Sequence, residues 1–90
     1  MADRMLPGED LVDAGIRDLA RGAESVESLL VSLAAPRLNA LGIHVPNPLA
    51  DPEVRLYRLL SAMHGDAAHG RYNALVRRMV SYQRAVACAK

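Results

Sequence analysis

Ninety residues, 51% hydrophobic yet without Trp or Phe and with three Tyr, make one small domain whose core must be aliphatic. The single cysteine, Cys88, excludes an internal disulfide framework, and the longest apolar run, residues 29–35, falls far short of the ~20 residues that span a bilayer. The formal net charge of +1 carries no strong bias of its own, and a core this small makes self-association an expectation.

Residues 1–10 are mixed in charge and broken by Pro7-Gly8 before any apolar run develops, which is unlike a secretory leader. A cytoplasmic chain is expected, with residues 1–8 as a flexible segment. The first helix is predicted over about 9–22. Asp10 is its candidate N-cap, Asp13 follows in the first turn, and Arg17 and Arg21 lie near its end, the order the helix dipole favours. Leu11, Val12, Ile16, Leu19 and Ala23 recur at helical spacing, and Gly22 is the stop signal. Ser25 is the N-cap of a second helix, in which Val26, Leu29, Leu30, Leu33, Leu38 and Leu41 cover a wide arc. That width predicts the central, most buried element. Pro36 lacks an N–H and clashes with the carbonyl four residues back, so a kink or restart is expected at 33–36; Gly42 ends the element.

Pro46 and Pro48 exclude helix from residues 43–50, which read as an ordered crossing loop pinned by Ile43, Val45 and Leu49. Asp51-Pro52-Glu53 then starts a helix, with Asp as N-cap and Pro at the first helical position. Val54, Leu56, Tyr57, Leu60 and Met63 are expected inward, Arg55 and Arg58 outward, and His64-Gly65 closes the element. Asp66 is the candidate cap of the last helix, which runs to about residue 89. Tyr72, Leu75, Val76, Met79, Tyr82, Gln83 and Val86 form its stripe, while Arg71, Arg77, Arg78 and Arg84 fall outside it. At roughly 33 Å this helix either lies across all the others or packs its end on another subunit, with Tyr82 and Gln83 as candidate seam residues. The fold class expected is all-α: a compact bundle of about four helices with a proline-containing crossing loop between helices 2 and 3.

Charge is unevenly distributed along the chain. Residues 1–51 carry four arginines against eight acids, a net −4, and residues 52–90 carry six arginines and Lys90 against Glu53 and Asp66, a net +5. Either the two halves neutralise each other at the rims of the bundle or across a dimer interface, or the arginines make a positive surface for phosphate.

No complete catalytic or ligand motif is present. A helix-turn-helix over 59–78 fails because the position needing an apolar residue holds Arg71 if Gly65 is the turn glycine, and the small position holds Asp66 if Gly70 is. Arg58 with His64 is similar to the Arg…His spacing of small all-α ribonucleases of the HEPN kind, as is Arg37 with His44. Ten arginines and three histidines produce such spacings by chance, and six residues is about 600° of helix, which parts Arg58 from His64. His64 and His69 lack the further ligands a zinc site needs. Cys88 has alanine neighbours and no charge to activate it, and the six glycines are scattered singly, without a phosphate loop. The reading is therefore a small non-catalytic helical interaction or regulatory domain, not an enzyme, with no cofactor or metal and no membrane contact. It is expected to self-associate or to bind a helical partner. The alternative is a nucleic-acid-binding regulator using Arg55, Arg58, Arg71, Arg77, Arg78 and Arg84. A weaker alternative is a HEPN-like ribonuclease using Arg58 and His64.

Overall fold

The computed structural model describes residues 6–89, and these form α1 (Glu9–Ala20), α2 (Val26–Leu33), α3 (Ala35–Ala40), α4 (Pro52–His64) and α5 (Ala68–Ala89), with a 3-10 turn at Gly65–Ala67. The class is all-α, with no strand among the described residues. α2 and α3 are one predicted helix, interrupted at Ala34 (φ −91°, ψ 3°) with Pro36 in the first turn after the break. The loss of one hydrogen bond at proline is thus taken up by a clean restart.

The ends of α1, α2 and α3 are fixed by local chemistry. Gly22 (φ 74°) and Gly42 (φ 90°) both take the left-handed conformation, and each closes the same six-residue hydrogen-bond ring. In the first, Ala23 N–H donates to the Asp18 carbonyl at 2.8 Å and Gly22 N–H to Leu19 at 3.0 Å; in the second, Ile43 donates to Leu38 at 2.9 Å and Gly42 to Asn39 at 3.0 Å. Ser25 caps α2 reciprocally with Ser28: the Ser25 hydroxyl accepts from Ser28 N–H at 3.0 Å, and the Ser28 hydroxyl accepts from Ser25 N–H at 2.7 Å. Ser25 also donates to the Asp18 carboxylate at 2.7 Å, whose other oxygen accepts from Arg21 at 2.5 Å. These two hydrogen bonds hold the Asp18 carboxyl below its usual value.

Three expected caps are corrected. α1 starts one residue before Asp10, after Gly8 (φ 78°), with no side-chain capping bond; the Glu9 carboxylate accepts from Leu6 N–H, ahead of the helix, at 2.9 Å. Asp51 does occupy the N-cap position of α4, but its left-handed backbone (φ 49°, ψ 50°) leaves its side chain without a capping bond. Asp66 lies inside the 3-10 turn, and α5 begins at Ala68. Of the N-terminal segment, residues 1–5 lie outside the described residues, while Leu6 packs against the core and Gly8 is buried.

α2 is the central element, as its wide arc implied: Leu29, Leu30 and Val31 are fully buried, with α1 on one side and α4 on the other. α1 approaches it closely because Gly15 has no side chain. A Cβ built there would stand 2.5 Å from the Glu27 carbonyl oxygen and closer still to the Val31 methyl. The crossing loop is ordered by side-chain acceptors: Asn39 takes Val45 N–H at 3.2 Å, and the buried Ser32 hydroxyl takes Leu49 N–H at 2.9 Å. Val45 is buried and Ile43 and Leu49 lie against the core, as expected.

The inward face of α4 is narrower than predicted. Leu56 and Leu60 are buried, but Val54 (56% exposed), Tyr57 (39%) and Met63 (58%) are not. Val54 stands roughly 160° around the helix from Leu56, Tyr57 sits on the flank toward α5, and Met63 is in the last turn beside the 3-10 segment. α5 spans the long dimension of a molecule 37 × 25 × 23 Å in extent. Its stripe buries Met79, Tyr82 and Val86. Tyr82 is a core residue rather than a seam residue: it lies beside Gly8, where a Cβ would come within 3.3 Å of its own Cβ and 2.8 Å of the Arg78 carbonyl. Burial, with the charges of Asp13 and Glu9 added, pushes its hydroxyl pKa up.

Candidate functional site

The six arginines of the basic half do not act as one surface. Arg55 donates to the Ala50 carbonyl at 3.0 Å and to Glu24 at 2.6 Å, joining α4 to the turn before α2. Arg78 donates to Asp10 at 2.9 Å, joining α5 to α1. Partial desolvation raises the Asp10 carboxyl, but the hydrogen bond and charge of Arg78 outweigh it and leave Asp10 below its usual value. Part of the charge split is thus internal neutralisation. Arg58, Arg71, Arg77 and Arg84 are exposed and have no ion pair among the described residues. On α5, Arg77 and Arg84 are seven residues apart and share a stripe, about 120° away from the stripe of Arg71 and Arg78. Arg58 belongs to α4. The free cations therefore lie on separate faces.

Arg84 and, from the α3 side, Arg37 line an open groove. It runs between the α2–α3 element and α5 in two connected parts of about 530 and 390 Å³, which share Arg37, Val80 and Gln83. Leu33, Ala34, Val76 and Met79 line the first part, and Ala40, Ala87 and Arg84 the second. Val80 is 37% exposed at their junction. The far wall of its second part is the six-residue α3, whose Arg37 and Ala40, with Leu41 just after it, face Val80, Gln83, Arg84 and Ala87 of α5. Sequence reasoning placed Val76 and Gln83 on the core stripe and missed the groove. The signal was Val80 with Val76 and Ala87, a second apolar line some 60–100° from Met79.

A second hollow, of about 610 Å³, lies between α4 and the start of α5, lined by Glu53, Val54, Tyr57, Arg58, Ser61, His69, Tyr72 and Asn73. Tyr57 stands 5.7 Å from Tyr72 and 6.4 Å from His69, centroid to centroid, at tilts of 52° and 56°. Asn73 Nδ2 lies 3.2 Å from His69 Nε2. Burial and then the charge of Glu53 push the Tyr72 hydroxyl pKa up. The walls are tilted, so they offer no parallel slot into which a nucleobase would stack. Arg58 shares this hollow with His69 and not with His64, the partner its sequence spacing suggested.

No group of three or more His, Cys, Asp or Glu among the described residues is placed to hold a metal ion, and no helix there is long and apolar enough to cross a membrane. Cys88 is exposed. No family model, curated protein or solved structure significantly matches the chain.

Proposed function

We propose that this protein is a non-catalytic helical interaction domain that presents the groove between α3 and α5 to a helical partner. The observation that carries the reading is the groove itself: an open, mostly apolar trough along a helix that runs the length of the molecule. Helix-in-groove recognition needs such a trough and about three turns of bordering helix. The nucleic-acid reading has less support, because Arg55 and Arg78 are engaged by Glu24 and Asp10 and the other four arginines point in several directions. The ribonuclease reading has less again, because Arg58 and His64 lie on different faces of α4.

The test is an amide-shift titration of the full chain with an amphipathic helical peptide whose flanks are neutral glutamines. Perturbations should cluster at Leu33, Val76, Val80 and Gln83. A map centred on the Tyr57–Tyr72 hollow, or no perturbation at all, rejects the groove as the docking surface.

A further inference from the structure

We propose that the partner is a helix of a different protein, apolar along one face and carrying carboxylates on both flanks of that face. This rests on the docking reading above and adds the chemistry of the occupant. The apolar floor runs from Val76 to Ala87 on α5, about 16 Å of helix, which accommodates three turns of a docked helix through its i, i+4 and i+7 side chains.

Both rims are cationic. Arg37 stands on the α3 side and Arg84 on the α5 side, with Arg77 seven residues back on the same stripe as Arg84. Among the described residues, no carboxylate lines either part of the groove. Three arginines away from the groove are paired within the molecule, Arg21 with Asp18, Arg55 with Glu24 and Arg78 with Asp10, while Arg58 and Arg71 have no ion pair among the described residues. Here Arg37 and Arg84 have no ion pair among the described residues, and both line the trough that an incoming helix would cover. Cations on both sides of an apolar floor favour an occupant with acids beside its apolar face, and oppose one with lysines there.

A second copy of this chain fits poorly. A two-fold contact through the groove sets the same arginine rims against each other, with no acid inside to neutralise them. The acids of α1 flank the other side of α5, where Asp10 already holds Arg78. Reaching the groove of a second molecule from there gives a head-to-tail contact, which does not close into a dimer. A nucleic acid would meet the arginines but leave the apolar floor without a partner.

The experiment compares three synthetic helices with one apolar face and flanks of Glu, Gln or Lys, measured by fluorescence anisotropy against the full chain, alongside sedimentation velocity of the chain alone. The Glu helix should bind at least about tenfold more tightly than the Lys helix at low salt, with the gap closing as salt rises. Val80→Glu should abolish binding, and the double reversal Arg37→Glu, Arg84→Glu should transfer preference to the Lys helix. These positions are exposed, so melting curves should stay close to wild type and separate lost binding from lost folding. Equal binding of all three helices overturns the charge assignment and leaves the docking reading standing. Binding of none removes both. A dimer that Val80→Glu dissociates gives the groove to a second copy and overturns the proposal.

Discussion

Replacing Gly15 by alanine sets two known effects against each other, and the geometry decides between them. Alanine in a helix interior is favoured over glycine by about 0.8–1 kcal/mol. At Gly15, however, the new Cβ would stand 2.5 Å from the Glu27 carbonyl oxygen. An ordinary contact needs about 3.4 Å, so α1 must back away from α2 by nearly 1 Å along a strip that includes Val12 and Leu19. Backbone cannot swing aside as a side-chain tip can, and overpacking of this kind costs roughly 1–3 kcal/mol. The net loss is up to about 2 kcal/mol, which for a domain of this size lowers the melting temperature by up to about 15 °C. Gly70 is the internal control: it lies in α5 with nothing within 4 Å of a built Cβ, so the same change there should raise the melting temperature by a few degrees. Thermal circular dichroism on the two variants reads the contrast directly. If Gly15→Ala raises the melting temperature as much as Gly70→Ala does, the close approach of α1 to α2 is refuted.

Two further substitutions probe the polar scaffold. Ser32→Ala strips the acceptor from Leu49 N–H while leaving the buried space apolar, so a loss of about 1–3 kcal/mol is expected, with faster hydrogen exchange at the Leu49 amide. Unchanged exchange there would mean the loop is held by something else. Asp18→Ala tests a pH window. Because Ser25 and Arg21 depress the folded-state pKa below the ordinary aspartate value, the unfolded chain takes up the proton first as pH falls. The stability Asp18 contributes is therefore complete at neutral pH and lost as pH drops through the folded value. The difference in urea midpoint between wild type and Asp18→Ala should be constant down to about pH 5 and shrink below it. A difference that grows on acidification contradicts the sign.

Most of the fold was legible because its punctuation is local. Gly22, Gly42, Ser25 and Pro36 act within a turn of themselves, and each sits where the sequence put it. Capping by Asp10 and Asp51 was misjudged for a reason that needs coordinates: Gly8 must be glycine because the α5 backbone passes over it, and the helix start moves with it. Tyr57 and Val54 were misplaced because apolar identity was read as burial, whereas among the described helices α4 packs mainly on α2 and α5. The groove was hidden for the same reason in reverse. Val80 continues an apolar line on α5, and how far α3 covers that line is settled by packing rather than by local sequence. Which arginines are neutralised depends on contacts 31 and 68 residues apart in sequence, beyond the reach of any local pattern.

The seating of Gly8 beneath Arg78 and Tyr82 has a consequence for the order of assembly. α1 finds α2 as soon as α2 is made, since only a five-residue turn separates them. Its other clamp, the α5 backbone over Gly8 with the Asp10–Arg78 ion pair, is almost the whole chain away. During synthesis the first helix therefore stays closed on one side and open on the other until the last turns of α5 have emerged. Across that interval the amino-terminal end of α1, at Gly8 and Asp10, lacks its α5 cover.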